Sequence, residues 1–183
     1  VLNTRADLCI NLVRGNVDTR IKKLDEGHYD ALILGYGGIK RLKLENRITQ
    51  IFSINEILPP ACQASIGIQT LDEENSITKK ISKINNERAS IIGLAERKVL
   101  ATLKVNCNSP IGVLASIENE KEIKIKAELF SHDGKNKYVA DISGNIEESN
   151  KLAKVVGNDI ISQVGIDYIE ELDILKNDFN YSP

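Results

Sequence analysis

Leu8-Cys9-Ile10-Asn11-Leu12-Val13-Arg14-Gly15-Asn16-Val17-Asp18-Thr19-Arg20 runs from an apolar stretch, through a glycine-containing turn, into the amphipathic segment Ile21-Lys22-Lys23-Leu24. A short apolar run closed by a turn signal and followed by helical spacing reads as strand, turn, helix start. That order sets two guanidiniums, Arg14 and Arg20, around a turn at the carboxyl end of a strand, where open α/β sheets bind their ligands. Arginine offers a rigid planar fork of donors, so the turn suits carboxylate or phosphate groups. The same residues also read as two solvated arginines at a helix start, and the stretch alone does not separate the two.

The same alternation continues outward from the turn. Residues 17–26 read as a short helix ended by Gly27, and Ala31-Leu32-Ile33-Leu34 as a second buried strand. Gly35-Tyr36-Gly37-Gly38 is then a turn whose backbone N–H groups favour anions, although it is not a GxGxxG fingerprint. Ile39 to about Leu44 form another short helix and Ile48 to Ile54 a third strand. Strands alternating with helices predict βαβ units and a mainly parallel sheet, an α/β architecture. Pro59-Pro60 breaks the pattern as a hinge, with a strand candidate at 65–70 and a polar helix at 75–84 after it.

From Asn86 the pattern changes. Ile91, Ile92, Ala95, Val99, Leu100 and Leu103 repeat at helical spacing, and Ile111 to Ile117 reads as extended. Ile123, Ile125, Ala127 and Leu129 alternate with polar residues, the mark of a half-buried strand. His132-Asp133-Gly134-Lys135 is a hairpin turn before a strand at 138–142, and Leu152, Val155, Val156, Ile160 and Val164 form a final amphipathic helix. This second half predicts α+β, a small antiparallel sheet covered by helices. The expected organisation is a partial α/β lobe at 1–58, a hinge and return segment at 59–85, and the α+β domain at 86–183.

Bulk properties narrow the function. Of 183 residues, 42% are apolar but only 4% aromatic, so the core must be aliphatic. A net charge of −2 excludes a general basic field for nucleic acid. No apolar run reaches the length of a membrane span. Cys9, Cys62 and Cys107 are few and far apart, as expected of free thiols in a reducing cytoplasm. With only His28 and His132 and no paired cysteines, no metal site is expected.

Five segments, in order, shift the balance between these readings. They are Leu12 to Arg20, Lys23 to Leu34, Gly38-Ile39-Lys40-Arg41-Leu42, Leu58 to Ile68, and Ala95-Glu96-Arg97 followed by Cys107-Asn108-Ser109-Pro110-Ile111-Gly112. In these the sequence closely resembles the porphobilinogen deaminase (hydroxymethylbilane synthase) family. The resemblance covers most of residues 6–115. It implies a partial periplasmic-binding-protein-like α/β lobe, the family's second domain, followed by its third. Against the family Val1 falls well inside the protein, and the chain contains no methionine, so most of the first domain is expected to be missing.

The resemblance also assigns roles. It implies a transferase of haem and tetrapyrrole biosynthesis that condenses porphobilinogen units, with loss of ammonia, into hydroxymethylbilane. Cys107 matches the cysteine that carries the dipyrromethane cofactor through a thioether; Val105 and Asn106 stand where the family usually has glycines. Arg14, Arg20 and Arg41 match cleft arginines that hold pyrrole carboxylates. Leu34, Gly38, Gln63 and Ala64 match residues that touch the cofactor. The family commonly has alanine at Gly35 and Gly37, and glycine at Cys62 and Ala64. Cys62 is read as a buried structural cysteine, with a second cleft thiol as the alternative. No catalytic residue is expected here, since the proton-shuttling aspartate of the family lies in the first lobe. The intact protein is expected to be a cytoplasmic monomer without nucleic acid or membrane partners, and this chain alone inactive. A non-enzymatic small-anion-binding α/β module and a truncated chain with a structural role stay open.

Overall fold

The computed structural model describes residues 1–63, 65–71, 73, 75–105 and 109–174. Its chain divides into two compact units, one formed by residues 1–6 and 57 onward, the other by Asp7–Glu56.

The first unit is built on three antiparallel strands, β1 (Ile111–Ile117), β2 (Glu122–Phe130) and β3 (Lys137–Asn145), in the order β1-β2-β3. Alternation along β2 does what its sequence predicts: Ile123, Ile125, Ala127 and Leu129 all point into the core and are 0% exposed. Register puts Ala115 and Val113 of β1 opposite Ile125 and Ala127, and Ala140 of β3 opposite Ala127. That face is covered by α4 (Glu87–Leu103) and α5 (Ser149–Val164), which bring Ala95, Val99 and Leu103, and Ala153, Val156 and Ile160. The core is aliphatic, as the composition requires. Tyr138 and Tyr168 meet edge-to-face at its margin, with ring centroids 6.1 Å apart.

Local chemistry sets the boundaries. The Asn86 side chain accepts from the Ala89 N–H to cap α4, whose end turns through Lys104 in a left-handed conformation (φ 55°). A short polar helix, α3 (Ser76–Ser82), starts at a capping box in which Asn75 and Thr78 exchange bonds. In the β2–β3 hairpin Gly134 takes φ 72°, and Asp133 accepts from the Ser131 hydroxyl and the Lys135 N–H. These bonds hold the Asp133 carboxyl down at about 2. One helix escapes the sequence reading: after Gly165 the chain continues as α6 (Ile166–Ile174), burying Ile169 and Leu172. Its apolar residues recur every third position over barely two turns, too short a run to register as a period.

The second unit corrects the sequence reading more deeply. It contains α1 (Val17–Asp25), α2 (Tyr36–Arg41) and a 3-10 turn at Glu45–Arg47. α2 starts earlier than the sequence suggests, directly after Gly35. The segments expected to be strands, 8–13, 31–34 and 48–54, are without sheet pairing, and so are the described residues of 65–70. Ile10, Leu12, Ile33 and Ile51 are 53–72% exposed. A parallel sheet must be covered on both faces. Two helices of 9 and 6 residues cannot cover three strands, and the buried apolar side chains of this unit are Ile21 and Ile39. Among the described residues no helix is long and apolar enough to cross a membrane.

Candidate functional site

The Arg14–Gly15 turn is a real local structure. Gly15 has φ 115°, where a side chain is strained, and a Cβ there would stand 3.0 Å from Thr19 Cγ2. Glycine is therefore required twice over. Arg20, on the first turn of α1, folds back so that its Nε donates to the Gly15 carbonyl at 2.7 Å. Lys23 reaches the Arg14 carbonyl from the next turn, with Nζ at 3.5 Å. Both cations are thus drawn to the turn that carries Arg14. No side chain caps α1, whose N-cap is Asn16, so its first N–H groups face the same corner.

α2 begins beside that corner. A Cβ on Gly38 would lie 3.1 Å from Val17 Cγ2, so the missing side chain is what lets the starts of α1 and α2 approach. Half-buried Leu34 precedes this start. Arg14, Arg20, Leu34 and Gly38 therefore belong to one neighbourhood of the second unit. Arg41 ends α2, exposed, where a cation complements the helix dipole. A salt bridge between Arg47 and Asp25 ties the end of α1 to the 3-10 turn.

In the first unit the Leu58–Pro59 segment lies along β1. The Val113 N–H donates to the Pro59 carbonyl at 3.0 Å, and a Cβ on Gly112 would fall 2.7 Å from the Leu58 carbonyl oxygen. Only glycine allows that approach. The chain then turns through Cys62 at φ 60°, a left-handed conformation for a residue with a side chain. Cys62 is half-buried with Sγ 3.6 Å from the Gly93 carbonyl. Burial first, then the Glu96 carboxylate, push its thiol above the usual range against the opposing pull of Arg97. Such a thiol is a poor nucleophile. Gln63 follows, exposed.

Cys107 and Ala64 lie outside the described residues, but the flanks of the Cys107 segment are described. Val105 closes the end of α4 by donating to the Leu100 carbonyl, and Ser109 is buried at the start of β1. The segment therefore connects α4 to β1, the strand that the Pro59 carbonyl meets. This is a compatible frame for a covalently tethered group. In the second unit Gly15 and Gly38 allow close approaches, and Arg20 and Lys23 fold onto the turn that carries Arg14; in the first unit Gly112 does the same for the Leu58 carbonyl.

One residue to which the sequence reading gave no role of its own is Glu96. It projects from the buried side of α4 and is 3% exposed. Its Oε2 accepts from the Cys62 N–H at 2.6 Å and its Oε1 from the Ala115 N–H at 2.9 Å. The signal was available: an acidic residue beside Ala95 and Val99 on the apolar face of an amphipathic helix.

Comparison with known proteins adds independent findings. A family model described as "Porphobilinogen deaminase, dipyromethane cofactor binding domain" matches residues 1–79, and one described as "Porphobilinogen deaminase, C-terminal domain" matches residues 90–162. A porphobilinogen deaminase of Francisella tularensis subsp. novicida (strain U112) is 37% identical over 162 residues, covering 88% of this chain and 53% of that protein. The porphobilinogen deaminases of subsp. holarctica (strain LVS) and subsp. tularensis (strain SCHU S4 / Schu 4) are 36% identical over the same share. The chain spans about half the length of these curated relatives.

Proposed function

We propose a function from the premise that this chain belongs to the porphobilinogen deaminase family: it forms part of a transferase that condenses porphobilinogen units, releasing ammonia at each step, into hydroxymethylbilane. The observation that carries the reading is the Gly15 turn, where Arg20 and Lys23 fold back onto the backbone that bears Arg14 at the start of α1.

Each porphobilinogen carries an acetate and a propionate, so a growing chain of pyrroles accumulates negative charge. Arg14 and Arg20 hold these carboxylates with permanent, planar donors, assisted by the first N–H groups of α1. Arg41 meets a further carboxylate. Leu34 gives an apolar wall for a ring, Gly38 keeps the backbone close, and Gln63 and Ala64 contribute from the hinge. Cys107 is the attachment point, through a thioether. The dipyrromethane it holds supplies the primer to which new units are added. The protein's work is to orient the rings and balance their charge. The general-acid aspartate belongs to the remaining length of such a protein, so this chain alone is expected to convert no porphobilinogen.

The same reading makes residues 1–58 part of a periplasmic-binding-protein-like lobe, 59–85 its hinge and return segment, and 86–183 the C-terminal domain. The three extended segments with exposed apolar residues support it, because they have the composition of strands awaiting neighbours.

Intact mass tests the proposal. A full-length deaminase containing this chain is expected to carry a dipyrromethane adduct that Cys107→Ser abolishes, since a serine hydroxyl is a far weaker nucleophile than a partly ionised thiol. An unmodified wild-type mass would favour simple anion binding, and an adduct persisting in the variant would move the attachment elsewhere.

A further inference from the structure

We propose that Glu96 is a positioning residue: from the buried side of α4 its carboxylate holds the Cys62–Gln63 turn against β1 and so sets where Gln63 stands. The functional consequence rests on the reading of Gln63 as a cofactor contact; the latch itself does not.

Three observations converge on it. First, each carboxylate oxygen accepts one backbone N–H, and the two donors, Cys62 and Ala115, lie 34 and 19 residues away along the chain. Both carboxyl oxygens are thus spent on joining segments that are distant in sequence. Second, the Ala115 and Val113 N–H groups both leave β1 on the side away from β2, and they are met by Glu96 and by the Pro59 carbonyl. The outer edge of the strand is therefore closed by the same two elements that hold the hinge. Third, Cys62 has φ 60°, a conformation disfavoured for a residue with a Cβ. The local bonds from Ser65 N–H to the Cys62 carbonyl at 3.0 Å and from Gln63 N–H to the Pro60 carbonyl at 3.3 Å define the turn. The Glu96 bond anchors that turn to the rest of the unit. Gln63 is the next residue along, so its placement follows from this anchor.

Glu96→Gln is the discriminating variant. Its amide offers one acceptor oxygen, but its NH2 group then confronts the second backbone N–H, donor against donor. In a full-length deaminase containing this chain, the Cys62 amide should exchange at least about tenfold faster in Glu96→Gln. Amides of α5 should keep their wild-type protection. KM for porphobilinogen should rise in a protein that still folds, with a melting temperature lower by only several degrees. Adding Cys62→Gly, which needs no anchor at φ 60°, should return KM towards wild type even though the amide at position 62 stays unprotected. Unchanged exchange at Cys62 overturns the latch. Faster exchange with unchanged KM, or a KM defect that Cys62→Gly does not relieve, overturns the positioning role. A wild-type protein with no porphobilinogen turnover would instead reject the deaminase reading, while the exchange measurement would still decide the latch.

Discussion

Glu128 shows how a single residue acquires a role that its neighbours in sequence do not announce. It stands on the solvent side of β2, opposite the core face, yet is only 3% exposed. Lys126 Nζ lies 2.7 Å and Lys137 Nζ 2.9 Å from its Oε1. Burial by itself raises the carboxyl, but the hydrogen bonds and charge of the two lysines outweigh it and leave the group below its ordinary value. The sign of the pH effect follows. A depressed carboxylate stabilises the fold above the unfolded pKa, and that contribution is lost as pH falls through the lower folded value. Glu128→Gln should therefore lower stability by about 1–3 kcal/mol near neutral pH. The difference from wild type should shrink in acid, below the usual carboxylate range. Denaturant midpoints measured at both pH values check this, and an equal penalty at each would refute the electrostatic account. Alternation in the sequence made Glu128 an outward residue. Its pairing with Lys137, from the neighbouring strand, is set by the β2–β3 register.

At the scale of elements, α4, β2 and α5 were legible from their apolar periods, β1 from its extended run and β3 from the hairpin turn before it, and all five pack on the same core. Their spacing was not legible. Gly157 of α5 sits where a Cβ would meet Thr102 Cβ of α4 at 2.7 Å, so these two helices are closer than side chains normally allow. In an exposed helix, alanine for glycine adds stability. Here Gly157→Ala should do the reverse, parting the helices at a cost of about 1–3 kcal/mol. A fall in melting temperature, set against an unchanged or raised value for exposed Asn158→Ala, would confirm it; a more stable Gly157→Ala would show that the contact yields freely. The expected strands of residues 8–54 mark the opposite limit. Their composition is that of strands, but a strand exists only when another backbone takes its N–H and C=O groups.

Across the whole molecule, apolar burial is unevenly shared. The unit from residue 57 onward encloses a continuous aliphatic core, whereas residues 7–56 bury Ile21 and Ile39 and leave Leu12, Ile10 and Ile51 in solvent. Native-state hydrogen exchange on this 183-residue chain should therefore find slow amides in α4, β1 to β3 and α5. Residues 8–13, 31–34 and 48–53 should exchange near the unfolded rate. Strong protection of 8–13 in this chain would mean that the segment finds sheet partners by itself. What the sequence determined alone was whatever rests on neighbours along the chain. That includes the periods of the C-terminal elements, the aliphatic core, the glycine turn between Arg14 and Arg20, and the ordered motifs that identify the family. The tertiary structure decided what rests on residues distant in sequence. It set Arg20 on the Gly15 carbonyl, Gly38 on Val17, Pro59 on β1, and Glu96 between Cys62 and Ala115. Hydrogen bonds and close packing are properties of pairs, and a pattern of single residues along a chain does not name the partner.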